Sequence, residues 1–152
     1  MKILIAAVLA VMSATPALAC GVARFGAIEI ERAWSRASIG TDRPGVVYLT
    51  IRNTGVADDV LTGITTTVAE KPMLHETVVT DGIASMPHVM SVLVPAGGTV
   101  ALEPGGFHAM LLGLNRTLEN GATFPVTLRF RYAGAVTVDV DILGLGAKGP
   151  EC

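Results

Sequence analysis

Apolar and polar residues alternate along much of the chain. Ile28-Glu29-Ile30-Glu31 is one such run. Val47, Leu49 and Ile51 alternate with Tyr48, Thr50 and Arg52. Val126, Leu128, Phe130 and Tyr132 alternate with Thr127, Arg129 and Arg131, and Val136, Val138, Val140 and Ile142 with Thr137, Asp139 and Asp141. A period of two places one side-chain set inside and the other in water, so these runs predict half-buried β-strands. Asn53-Thr54-Gly55, Asp81-Gly82, Pro95-Ala96-Gly97-Gly98, Pro104-Gly105-Gly106, Asn120-Gly121 and Ala133-Gly134 supply turns between them. No stretch shows convincing helical periodicity; Glu119-Asn120-Gly121 could close at most a short helical turn after Leu114. The pattern predicts an all-β sandwich of seven to nine short strands with Greek-key connections.

The first nineteen residues are different. Lys2 is followed by an apolar run from Ile3 to Met12, then by Ala17-Leu18-Ala19. A positive start, a short apolar segment and a small-x-small site describe an export signal, too short for a comfortable membrane span. Residues 1–19 are therefore read as a leader and 20–152 as one domain. Cys20 follows the cleavage site directly, where bacterial lipidation occurs. Lipidation signals carry Leu three residues earlier, and here that position is Ala17, so simple cleavage into the periplasm is expected. No later stretch is long and apolar enough to anchor the chain in a membrane.

Composition narrows the function. The chain is 51% hydrophobic and only 16% charged, with a net charge of −2. Part of the apolar excess belongs to the leader; the remainder falls in the ordinary globular range of about 45–50%. A nucleic-acid binder would show a basic surplus, and there is none. Neither a G-x-S-x-G elbow nor an H-E-x-x-H helix is present, so no hydrolytic enzyme is expected. The two cysteines, Cys20 and Cys152, stand at opposite ends of the predicted domain. Their spacing fits no Cys-based metal motif. An oxidising compartment allows an end-to-end disulfide, and two free terminal thiols fit the sequence equally well.

Methionine and histidine are clustered. Met1 and Met12 lie in the leader; Met73, Met86 and Met90, with Met110, His75, His88 and His108, all fall between 73 and 110. Core-filling Met would be spread through the core. Soft thioethers with imidazoles suit copper, Cu(I) in particular, whereas zinc sites rarely use Met. His108 and Met110 are two apart, hence on one face of a strand, and Met73, His75 and Thr77 share a face likewise. If Asp81-Gly82 is a two-residue hairpin loop, Thr77 lies opposite Met86 and His75 opposite His88. Pro87 makes that register questionable, because proline interrupts a ladder.

The spacing His75-x10-Met86-x21-His108-x-Met110 resembles the signature of the PCuAC family of periplasmic copper chaperones. Ala33-Trp34-Ser35-Arg36, Tyr48-Leu49-Thr50-Ile51-Arg52-Asn53, Leu74-His75-Glu76-Thr77, the segment Pro104 to Leu114 and Pro125-Val126-Thr127-Leu128 resemble family segments too, from about residue 28 to 142. The resemblance implies a cupredoxin-like β-sandwich and Cu(I) held by His75, Met86, His108 and Met110. It also implies delivery of copper to the copper centres of cytochrome c oxidase, through an oxidase subunit or another periplasmic copper or thiol protein. His88 and Met90 exceed the signature; His88 is an additional candidate ligand, Met73 and Met90 packing residues. Some members carry a His/Met-rich extension with a second copper site, and nothing comparable stands before Cys152. Two other readings compete: copper buffering or resistance in the periplasm, and a generic extracellular β-sandwich module without metal. A blue-copper carrier is disfavoured because its Cys ligand would have to come from the chain ends.

Overall fold

A computed structural model describes residues 20–152; the leader expected over 1–19 lies outside the described residues. The described residues form twelve strands and no helix. They are β1 (Val22–Phe25), β2 (Ile28–Arg36), β3 (Gly45–Asn53), β4 (Asp59–Thr66), β5 (Ala69–Glu76), β6 (Val78–Thr80), β7 (Ile83–Ser85), β8 (Val92–Val94), β9 (Thr99–Leu102), β10 (Phe107–Leu114), β11 (Thr123–Phe130) and β12 (Gly134–Leu143). The count exceeds the expected seven to nine because β6, β7 and β8 have three residues each, too short to show alternation. Residues 119–121 form a turn without any helix.

The main sheet runs β5-β10-β9-β3-β2-β12-β11-β4-β8, with β1 on β2 and a further pairing of β10 with β3. Most pairs are antiparallel, but β12 lies parallel to β2, with Asp141 beside Trp34. Consecutive strands β4 and β5 stand near opposite ends of this path yet touch one another. The sheet therefore curls over on itself and encloses its inner face, as a sandwich does.

The alternation read from the sequence is the inward face. Ile28, Ile30, Val47, Leu49, Ile51, Val126, Leu128, Val136, Val140 and Ile142 are all buried. Trp34 is buried as well. Two positions depart from the pattern. Tyr132 is 75% exposed, because β11 ends at Phe130 and the chain turns at 131–133. The Asp59 carboxylate holds that turn by accepting the N–H groups of Tyr132 (3.0 Å) and Ala133 (2.9 Å). Tyr48, placed by alternation on the polar face, is buried instead. Its ring lies 4.7 Å from that of Trp34, and Arg36 sits over both. Burial pushes the Tyr48 hydroxyl above its ordinary pKa, against the lowering pull of Arg36. Arg36 Nε also donates to Ala147 O at 2.7 Å, so the C-terminal segment folds back beside this pair. Cys20 and Cys152 form a disulfide that joins the two ends of the domain.

Candidate metal centre

The candidate site is built on the edge of the sheet. β10 pairs with β5 so that His108 is opposite His75 and Met110 opposite Met73. Directly opposite residues project from the same face with Cβ atoms roughly 5 Å apart. The imidazoles of His75 and His108 are stacked, with centroids 5.9 Å apart. Apolar neighbours fix these strands: Leu74, Ala109 and Leu111 point inward and are buried, so His75, His108 and Met110 take the other side of the pleat.

The next segment is delivered by the β6–β7 hairpin. Val78 pairs with Ser85 and Thr80 with Ile83, leaving Asp81-Gly82 as the loop. Both loop residues have positive φ, 51° and 77°, as a tight hairpin loop of this kind requires. The same register carries on to a bridge between His75 and His88. Pro87 does not break it, because the ladder uses its carbonyl: Glu76 N donates to Pro87 O at 3.2 Å. Met86 therefore lies diagonal to His75, where the hairpin reading put it, and is 52% exposed.

Both histidines are oriented by backbone carbonyls. His75 Nδ1 is 2.9 Å from Met86 O, and His108 Nδ1 is 3.0 Å from Gly106 O. A carbonyl only accepts, so each Nδ1 must be the protonated donor, which reserves Nε2 for another partner. Gly106 is itself held by the preceding turn, where its N–H donates to Glu103 O at 3.0 Å. Gly105 has φ of 86°, a conformation that glycine adopts without strain. The tight turn before β10 thus places a carbonyl against His108.

His75 Nε2 is buried and has no hydrogen-bond partner, the one such side-chain nitrogen or oxygen among the described residues. Burying a polar nitrogen without a partner is unfavourable, and a metal ion is one way to satisfy it. His108 is only 5% exposed. No group of three or more His, Cys, Asp or Glu side chains among the described residues is placed to hold an ion. The side chains beside the two imidazoles include Met110 and Met73, in register with one another, and thioether sulfur favours a soft ion.

The sequence singled out His75, Met86, His108 and Met110, and all four lie on these adjoining segments. His88 borders His75 on the side away from His108, with centroids 5.9 Å apart, and is exposed. Met73, expected to pack, sits in register with Met110 and within the same donor face. The orienting carbonyls of Gly106 and Met86 are not legible in side-chain patterns at all. The hairpin register is the signal that pointed to the second.

Comparison with known proteins follows the same lines. The family model described as "Putative lipoprotein LpqE-like" matches residues 28–142. "Putative lipoprotein Lxx21020" of Leifsonia xyli subsp. xyli is 35% identical over 116 residues, covering 76% of this chain and 69% of its own. Among solved structures, the apo PCuAC domain of PmoF1 matches with a TM-score of 0.70 and 26% identity, over 82% of this chain and 99% of that one. The copper(I) form of DR1885 from Deinococcus radiodurans matches with a TM-score of 0.60 and 32% identity, over 73% and 74%. A copper-bound PCuAC domain from PmoF2, at 23% identity and a TM-score of 0.70, shares the fold. With three quarters of its length inside the family match and its strands arranged as a curled cupredoxin-like β-sandwich, the chain belongs to the LpqE-like family, a PCuAC-type family.

Proposed function

We propose that this protein is an exported Cu(I) chaperone, not an enzyme, with His75, Met86, His108 and Met110 as the copper ligands. The observation that carries the reading is the buried, partnerless Nε2 of His75, stacked against His108 on a Met-bearing edge. Both imidazoles present Nε2 because carbonyls occupy Nδ1. Two neutral imidazoles and two neutral thioethers suit Cu(I), leave its positive charge uncompensated, and allow release by stepwise ligand exchange. The copper(I) form of the similar DR1885 supports the choice of metal. Met86, half exposed, supplies the open edge that transfer requires.

Copper carried in the periplasm goes, in this reading, to the copper centres of cytochrome c oxidase, directly or through another copper or thiol protein. The disulfide supports a soluble rather than a lipid-anchored form, because Cys20 Sγ bonded to Cys152 cannot also carry a thioether-linked lipid. Competition with a Cu(I) chelator tests the centre. His108→Ala and Met110→Ala are expected to weaken Cu(I) binding by roughly 100-fold or more, at or above the upper end of what loss of an orienting partner costs. Affinities equal to the parent's would refute the ligand assignment. Mixing the loaded protein with an apo-oxidase copper domain tests the destination: copper should move to the domain. No transfer to any oxidase domain would leave buffering as the better reading.

A further inference from the structure

His88 and Met90 repeat, one segment further out, the His-x-Met spacing of His108 and Met110. Three lengths of chain lie side by side here: β10, β5 and residues 86–89. His108 is the register partner of His75 on one side, and His88 its bridge partner on the other. Val89 N donates to Leu74 O at 2.9 Å and Glu76 N to Pro87 O at 3.2 Å, which fastens the outer segment to β5. Opposed residues of antiparallel strands share a face, so the three imidazoles form a row. His75 is in the middle, with ring centroids 5.9 Å from each neighbour.

Burial falls steadily along that row. His108 is 5% exposed, His75 is half-buried and His88 is exposed. Met86 and Met90, at the outer end, are 52% and 79% exposed. No hydrogen bond involving the His88 ring is found among the described residues, so its ring nitrogens are open to solvent and to a ligand. The His108 and His88 rings lie on opposite sides of the His75 ring, each with its centroid 5.9 Å from it. That agrees with the lack of a three-imidazole site. His75 is the common neighbour of both.

We propose that His88 and Met90 form a handover site beside the copper centre. Cu(I) passes between the two positions by exchanging His108 and Met110 for His88 and Met90, while His75 and Met86 retain it. Each exchange breaks one nitrogen or sulfur donor bond to copper as another forms. Copper stays Cu(I) and no electron moves. The ion thereby travels from the buried end of the row to the exposed end, where an accepting protein supplies the next ligand. This inference rests on the Cu(I) reading above.

The test separates affinity from rate. The Cu(I)-loaded protein is mixed with excess bicinchoninate, and the rate of copper loss is followed by the colour of the chelate. The double variant His88→Ala, Met90→Leu should bind Cu(I) as tightly as the parent and lose it roughly tenfold more slowly. Both changes are at exposed positions, so folding is not at stake. An unchanged rate overturns the handover site. So does an affinity loss as large as that of His108→Ala, which would make His88 a ligand of the centre itself. If the parent binds Cu(I) and His108→Ala does not, the centre stands whatever His88 does; if the parent fails to bind, both readings fall.

Discussion

A histidine that binds a metal through Nε2 must keep its proton on Nδ1, and here two carbonyls enforce it. Met86 serves twice in this account: its carbonyl orients His75 and its thioether is a proposed ligand. The side-chain pattern shows the thioether and is silent about the carbonyl, because backbone geometry has no residue code. Asp59 teaches the same lesson away from the site. It is 5% exposed, and its carboxylate accepts the N–H groups of Val60 at 2.7 Å, Tyr132 at 3.0 Å and Ala133 at 2.9 Å. Nothing in the sequence singled it out, since two of its three partners, Tyr132 and Ala133, lie more than seventy residues away. Asp59→Ala would strip these donors of their acceptor; bonds to a charged group contribute about 1.5–3 kcal/mol, so a destabilisation of about 3 kcal/mol is expected. Urea denaturation at neutral pH measures it, and a shift below a few tenths of a kcal/mol would contradict the role given to this carboxylate.

Among the elements, those with strong alternation were legible and those held by their neighbours were not. β2, β3, β11 and β12 show their buried faces in the sequence because each half-buried strand must alternate. The β6–β7 hairpin was legible for another reason: Asp-Gly tolerates positive φ at both loop positions, and that fixes the register as far as His88. β8 is three residues long and is defined by pairing with β4, which no local pattern reveals. β12 also carries a penalty of its own. Asp141 is pushed above the usual carboxylate pKa, first by partial burial and then by Asp139 on the same face. A raised acid favours the folded state while protonated. That advantage is present below the ordinary carboxylate value of about 3.9 and is lost as pH rises through the raised one. At neutral pH the ionised group is therefore a net cost. Asp141→Asn should raise the thermal midpoint at pH 7, modestly, since the group is largely solvated. The gain should shrink toward pH 3. A variant that melts below the parent at pH 7 would show that another contact of the carboxylate outweighs the cost.

For the whole molecule, the sandwich class followed from strand patterning, but its closure did not. Alternation says that each strand has an inner face; it does not say that β4 and β5 meet, or that residues 144–150 return beside Trp34 and Tyr48. Arg36 binds that returning segment through Ala147 O, and Ala37 N donates to Leu143 O at 2.7 Å. The Cys20–Cys152 bond, with Cα atoms 5.8 Å apart, then closes a loop spanning 132 positions. In the chain-entropy model a loop of about 100 residues gains about 4.7 kcal/mol from such closure, by restricting the unfolded chain. That is a large share of the about 5–15 kcal/mol by which domains are stable. The proposed copper centre draws nothing directly from it, because β5, β10 and the hairpin are fastened by their own registers. Replacing both cysteines by serine should therefore lower the urea midpoint strongly while leaving Cu(I) affinity, under conditions where the chain is folded, equal to the parent's. Serine is the right substitute, since reduction would release two thiolates that compete for Cu(I). A loss of copper affinity in the folded double variant would mean that the ends and the centre are coupled through the sheet, and that the centre is less self-contained than its registers indicate.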